Sequence, residues 1–438
     1  MVGGGLAGLS AGWKLARAGH EVVVLERKNA LGGRAGSALD EATGEPVDTG
    51  QHVFLGCYRT TMKWFSDLGT ARMIRFQNRL EVPYRREGGA RVTFRAAPLP
   101  RPFHLLGGLA TLPGLGWREK AGLWRLGGAF FGGESLDGLT VAAWLDRARA
   151  PRAARELVLE PLALAALNEA PEVASALPFA VTMRELLRAG NRGCAIGLAT
   201  AGLGDAYAPA AGTFIELAGG KVLPGSWARE LLVGGSPRAR GVRLADGKEL
   251  EGDAVVAAVP PWDLVPLIAG VPALARLASA AGSFSPSPIV TAHLWRDPAT
   301  GPAPFTGLPG ARFDWLFNRT AIVGKGKLAA EHLCLVKSGA RALLGLKPDA
   351  LVALAEETLE RHLPEARGGQ TIHSRVIWET KATVSLTPGT AALRPAAVTT
   401  VPGFVLAGDW VRTGLPATIE SAVRGGFAAA RAVVSSFQ

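Results

Sequence analysis

Cysteine is almost absent from this chain. Cys57, Cys194 and Cys334 are its only three. They lie far apart with no metal-ligand spacing, which suggests a reducing compartment and no disulfide frame. There is no C-x-x-C, H-E-x-x-H or G-x-S-x-G, so zinc-hydrolase and serine-hydrolase chemistry lacks support and no metal site is expected. Long apolar runs are also missing. Stretches such as "FHLLGGLATLPGLGW" (Phe103–Trp117) are broken by Gly and Pro and are too short to span a bilayer. The start has no basic segment leading into an apolar run, so no signal peptide is expected.

What is present describes a folded globular chain. Of its 438 residues, 48% are hydrophobic and 19% charged, and this length favours two domains. The net charge of +11 is compatible with nucleic acid, anionic membrane or acidic substrates. The arginines are scattered and not interleaved with aromatics, so no nucleic-acid partner is expected and most of the charge reads as solvated surface.

The richest segment is the opening "MVGGGLAGLS", in which Gly3, Gly5 and Gly8 spell G-x-G-x-x-G. That fingerprint needs a buried strand entering a tight turn, with a helix starting beneath the ligand phosphates. Only Met1 and Val2 precede it, whereas a strand runs about five or six residues. The first strand is therefore expected to be truncated, with about five to eight further apolar residues encoded upstream. "LSAGWKLARAG" then reads as a helix stopped by Gly19, and "HEVVVLERK" as a strand buried on both faces. Glu26 ends that strand 18 residues beyond Gly8, where a carboxylate would accept hydrogen bonds from ribose hydroxyls. A second glycine turn with a cation, "LGGRAGS" (Leu31–Ser37), places amides and Arg34 where pyrophosphate oxygens would lie. "PVDTGQHVFLGCY" (Pro46–Tyr58) comes next, gathering an acid, a glycine and a histidine. An isolated histidine such as His52 is most often structural.

The middle is less regular. "WREKAGLWRLGGAFF" (Trp117–Phe131) reads as a short helix that either lies in a membrane interface or caps a core. An apolar helix is expected to end near Asn168, before Pro171. Asp246-Gly247 marks a hairpin, Ala254–Val259 a buried strand ended by Pro260-Pro261, and Leu351–Leu363 an amphipathic helix. Near the end "FVLAG" is a buried strand, with Gly408 and Asp409 at its carboxyl end. A helix then enters past Pro416 with Thr418 as its cap, its positive end directed at a group that becomes negative. No linker or repeat separates domains, so they are expected to interleave.

In this order, GGGLAG, Glu26, LGGR, DTGQH and the late GD…ESA helix resemble the FAD-dependent amine oxidase and phytoene desaturase superfamily over nearly the whole chain. "DTGQHVFLGCY", "PLALAALN" and "AGDWVRTGLPATIESAVRGG" look like its squalene-associated branch, the hydroxysqualene dehydroxylases. Thr49 departs from that pattern where Asn is common, and Gly425 where Ser is expected. The resemblance implies an α/β fold: a Rossmann-like FAD-binding domain (1–82, 205–270 and 385–438) interleaved with an α+β substrate-binding domain (83–204 and 271–384). It implies FAD held by Gly3, Gly5, Gly8, Glu26, Gly33, Arg34, Asp48, Gly408, Asp409, Thr418 and Ile419. The implied reaction is reductive: hydroxysqualene to squalene in bacterial squalene and hopanoid biosynthesis, with hydride from reduced flavin. His52 is the first candidate acid, Gln51 and Tyr58 are orienting or donor groups, and Asn168 lies further round the pocket. The implied partners are a hydrophobic isoprenoid substrate, an electron donor and an anionic membrane surface, with the protein cytoplasmic or peripheral on the inner face of the cytoplasmic membrane. Two alternatives share the fold: a carotenoid desaturase running in the oxidative direction, and a non-catalytic isoprenoid-binding chaperone. An amine oxidase is disfavoured, since such sites use an aromatic cage and only three tyrosines exist.

Overall fold

Strands with no polar face must be covered on both sides, and here they pair in parallel beneath helices. The computed structural model describes residues 1–132, 135–235 and 238–437. Val23–Glu26 pairs with Lys221–Pro224, and Val255–Ala257 with Phe404–Leu406, both in parallel. Val2 joins the two pairs, bridging Leu25 on one side and Ala257 on the other. Its N–H donates to Val256 O at 2.9 Å, its carbonyl accepts from Ala258 N at 2.8 Å, and Gly3 N donates to Leu25 O at 2.8 Å. The short first strand therefore takes the middle of the sheet and satisfies neighbours on both sides.

The two ends of the chain pack against each other on this sheet. The helix Leu6–Arg17 buries Leu6, Leu9, Trp13 and Leu15 and lies along the C-terminal helix Ile419–Ser435. Their closest approach runs through small residues. A Cβ on Gly426 would stand 2.2 Å from Ser10 Oγ and 2.4 Å from Ala7 O, and one on Gly425 would stand 2.5 Å from Gly408 O. The departure at position 425 thus has a steric reason.

The second layer is a seven-stranded sheet in the order Gln370–Val384, Pro286–Asp297, Glu331–Ser338, Trp315–Asn318, Phe305–Gly307, Glu81–Arg85, Arg91–Arg95. Its neighbours run antiparallel except Phe305–Gly307 with Glu81–Arg85. Strand alternation divides its two faces. Leu316, Leu333 and Leu335 pack with Leu351, Ala355 and Leu359 of the helix Pro348–His362. Phe317, Cys334 and Val336 face the other way, into a core shared with a helical layer. In that layer Phe130, Trp144 and Phe179 meet edge to face at 5.3 and 6.2 Å. Among the described residues no helix is long and apolar enough to cross a membrane.

Overpacking a close backbone contact costs about 1–3 kcal/mol. Gly425→Ser is therefore expected to destabilise the protein by that amount, read as a lower urea midpoint at unchanged slope. A variant as stable as the parent would show that the helix can retreat from Gly408.

Candidate functional site

The glycine fingerprint resolves into three separate duties. Gly3 has φ +106°, and a Cβ there would lie 2.6 Å from Ala258 O; it makes the turn. A Cβ on Gly8 would lie 1.8 Å from Gly3 O, so only glycine lets the first helix dock against that turn. Gly5 caps the helix in extended conformation, and nothing would approach its Cβ closer than 3.7 Å. It opens on a cavity together with Leu6 and Ala7, where the unpaired N–H groups of a first helical turn suit an anion. The second glycine turn closes on the first, since a Cβ on Gly33 would stand 3.1 Å from Gly5 Cα. Thr49 Oγ1 ties this second turn down, donating to Arg34 O at 2.7 Å. At the strand end Glu26 lines the cavity, its oxygens accepting from Gly4 N at 2.8 Å and Lys28 N at 2.9 Å.

Distant residues complete the same rim. Arg34 Nη2 pairs with Asp409 Oδ1 at 2.7 Å, and Nη1 donates to Ala382 O at 3.1 Å. Burial disfavours the Arg34 cation, but the carboxylates of Asp409, Glu379 and Asp263 together outweigh it and raise the pKa above its ordinary value. Gly408 sits beside Asp409 on the rim with φ +145°. Thr418 caps the C-terminal helix, accepting from Ser421 N at 3.3 Å, and Ile419 faces the cavity from its first turn. Glu420, 1% exposed, fixes that turn by accepting from Thr60 N at 3.1 Å, Thr61 N at 2.9 Å and Arg424 Nε at 2.8 Å.

One cavity of about 630 Å³ runs from this cradle into the second layer. Its far part is walled by Leu80, Val82, Phe94, Leu162, Phe317 and Val336. Gln51, His52 and Tyr58 also line it. His52 Nδ1 lies 2.6 Å from Gly50 O; a carbonyl only accepts, so Nδ1 carries the proton. Burial in these walls lowers the His52 pKa below 6.5. Desolvation raises the Tyr58 pKa, so its hydroxyl stays protonated.

Two expected site residues prove to be engaged elsewhere. Asp48 is not among the lining residues. Its carboxylate accepts from Ser37 Oγ at 2.6 Å and Leu203 N at 2.9 Å and pairs with Arg319 at 3.3 Å, behind the cavity. Asn168 does line the cavity, but its amide is spent on the fold. Nδ2 donates to Ser287 O and Thr383 Oγ1, both at 3.1 Å, and Oδ1 accepts from Gly339 N at 2.8 Å. With φ +51° it is the left-handed cap of the helix Glu160–Leu167.

Two buried arginines carry no signal in the sequence beyond a charge beside an apolar run. Arg394 donates to the carbonyls of Asp409 at 2.7 Å, Trp410 at 3.1 Å, Val411 at 2.7 Å and also Leu415. It thus shapes the loop between Asp409 and the C-terminal helix, and burial lowers its pKa to about 10. Arg319 Nη1 donates to Gln51 Oε1 at 3.1 Å. No local motif marks either residue.

Taken together, a backbone cradle, a carboxylate at one end, a cation at the middle and two helix N-termini suit an extended dinucleotide with a central diphosphate. The family described as "Flavin containing amine oxidoreductase" matches residues 6–434. The chain is 29% identical to the hydroxysqualene dehydroxylase of Sinorhizobium fredii, over 99% of this chain and 98% of that relative. It is 24% identical to the chloroplastic 15-cis-phytoene desaturase of Glycine max, over 99% of this chain and 79% of that protein. In fold it is similar to the solved cyclohexylamine oxidase of Brevibacterium oxydans, with a TM-score of 0.73, 18% identity, and 100% and 98% of the two chains covered. The chain belongs to the flavin-containing amine oxidoreductase family, and it is a flavin-dependent oxidoreductase.

Proposed function

We propose that this protein binds FAD and reduces hydroxysqualene to squalene. The observation that carries the reading is the single cavity in which a dinucleotide cradle leads directly into an apolar chamber. The likeness to a hydroxysqualene dehydroxylase over both full lengths supports the choice of substrate. In this reading the amides at Gly3, Gly5 and Gly33 receive the pyrophosphate, with Arg34 as its counter-charge. Glu26 takes the adenosine ribose and Asp409, with Gly408, the ribityl chain. Thr418 and Ile419 bring the positive end of their helix to the isoalloxazine. Gly8 and Asp48 act from behind, by packing and by ion pairing.

The reaction exchanges a hydroxyl for hydrogen: a C–O bond breaks, a C–H bond forms, and oxygen leaves as water with one added proton. FAD held by these residues would supply the hydride, its electrons coming from an external donor. The chain's residues bind the isoprenoid, exclude water and deliver the proton. His52 in its protonated form is the donor, passing a proton from Nε2 to the departing oxygen while Nδ1 stays anchored on Gly50 O. Gln51 and Tyr58 orient that oxygen. Asn168 holds the chamber wall in shape.

A positioned acid contributes about 10²–10⁴-fold. The flavin-loaded protein is expected to form squalene from hydroxysqualene under reducing conditions, and His52→Ala to lose about that factor while keeping its flavin absorbance. Full turnover in His52→Ala would remove the acid assignment, and no squalene from the parent protein would remove the reaction. Because His52 is mostly neutral at pH 7, its protonated fraction grows as pH falls through and below 6.5. Turnover limited by that proton should rise on acidification, about tenfold per pH unit until the folded-state pKa is reached. A profile flat from pH 8 to 5.5 would contradict it.

The substrate resides in lipid, and one surface suits a bilayer. On the helix Trp117–Phe131, Trp117 is 75% and Trp124 66% exposed, accompanied by Arg118, Lys120 and Arg125. Each Lys or Arg near an anionic membrane is worth about 1 kcal/mol. The protein should float with anionic liposomes at low salt, and Trp117→Ser with Trp124→Ser should abolish this. Flotation unaffected by the double substitution would place the contact elsewhere. This reading places the protein in the cytoplasm, peripheral on the inner face of the cytoplasmic membrane.

A further inference from the structure

Gln51 and His52 both line the cavity, and the hydrogen-bonding character each presents there is dictated from behind. Arg319 is 1% exposed and held by Asp48, whose side chain is equally buried. Its guanidinium, 3.3 Å from Asp48 Oδ2, also donates to Gln51 Oε1 at 3.1 Å. A guanidinium has donors only, so Gln51 must turn its oxygen toward Arg319, leaving its NH2 group over. His52 is oriented in the same manner. Gly50 O takes the Nδ1 proton, and Nε2 of the neutral ring keeps a lone pair. Neither Gln51 Nε2 nor His52 Nε2 takes a hydrogen-bond partner among the described residues, and both residues line the cavity. Arg319 is not among the lining residues.

We infer that Arg319, acting through Gln51, sets a donor beside an acceptor in the cavity, and that the pair selects a ligand bearing one hydroxyl group on an apolar skeleton. A hydroxyl both donates and accepts, so one oxygen satisfies Gln51 Nε2 and His52 Nε2 together. A hydrocarbon of the same skeleton leaves both unpaired, and sites built to hydrogen-bond a hydroxyl reject analogues that lack it. When His52 is protonated, the same Nε2 becomes the donor, so recognition and release of the oxygen share one atom. The inference rests on the proposed reaction for the identity of the alcohol. Arg319 is a positioning residue within it, because a rotated Gln51 amide would present a second acceptor and lose the complementarity.

The test compares hydroxysqualene with squalene as ligands of the flavin-loaded protein, binding being read by quenching of tryptophan fluorescence, for Trp315 lies in the cavity wall. The parent should bind the alcohol at least about tenfold more tightly than the hydrocarbon. Gln51→Leu should bring the two affinities within about twofold by weakening only the alcohol. Gln51→Glu keeps the bond to Arg319 but has no donor, so it should lose the same preference while remaining folded and flavin-loaded. Arg319→Gln, whose amide can accept as well as donate and so no longer dictates how Gln51 turns, should raise KM for hydroxysqualene more than it lowers kcat, with squalene affinity unchanged. Equal affinities in the parent, or an undiminished preference in both Gln51 variants, would overturn the inference. Normal KM in Arg319→Gln would overturn the positioning role. Squalene formation with no Gln51-dependent preference would sink the inference and spare the proposed reaction; the preference without any turnover would do the opposite.

Discussion

Parallel pairing at the centre of the first sheet is the constraint on which the site depends. Val2 meets Leu25 and Ala257 in the same direction, and Val255–Ala257 meets Phe404–Leu406 likewise. All these strands consequently end at one edge, where the Gly3 turn, Glu26, Val259 and Asp409 converge. Ligands of open α/β sheets bind at this edge because backbone amides and helix N-termini gather there. A ladder of a few hydrogen bonds thus brings together residues some four hundred positions apart in the chain. The Arg34–Asp409 pair at 2.7 Å then fastens the two ends across the cradle.

Around that edge, buried charges serve as organisers of backbone. Isolated burial of a guanidinium or carboxylate is costly unless its hydrogen bonds are supplied. Arg394 gathers four carbonyls of one loop, and Glu420 gathers the first turn of a helix that starts near Thr60. Arg319 joins Asp48 to Gln51. Each fixes a local shape that no hydrophobic contact could define, since dispersion has little directionality whereas forked donors have a great deal. The apolar chamber beside them is built in the opposite manner, from strand alternation and aromatic packing, and needs only the right volume and dryness.

Local physics made much of this legible. The turn at Gly3, the strand ending in Glu26, the Thr418 cap and the helix Trp117–Phe131 each arise from a few adjacent residues. The fingerprint's three glycines are likewise distinguishable once a strand, a turn and a helix must succeed one another without space. Asp48 and Asn168 were harder, because a polar residue near a site motif reads the same whether it faces a ligand or a neighbouring loop. Their partners, Arg319 and Gly339, are far away in the chain, and neither sits in a recognisable pattern.

The sequence by itself determined the glycine turn at Gly3 and the strand ending in Glu26, the burial of the central strands on both faces, the absence of any bilayer-spanning helix among the described residues and the family resemblance, because these rest on composition and on spacings of a few residues. Only the tertiary structure decided which polar atoms remain free in the cavity. The orientation of Gln51, the tautomer of His52 and the withdrawal of Asp48 and Asn168 depend on which donor or acceptor arrives from a remote strand or helix. Hydrogen-bond assignment is a property of pairs, and the second member of each pair is chosen by the fold.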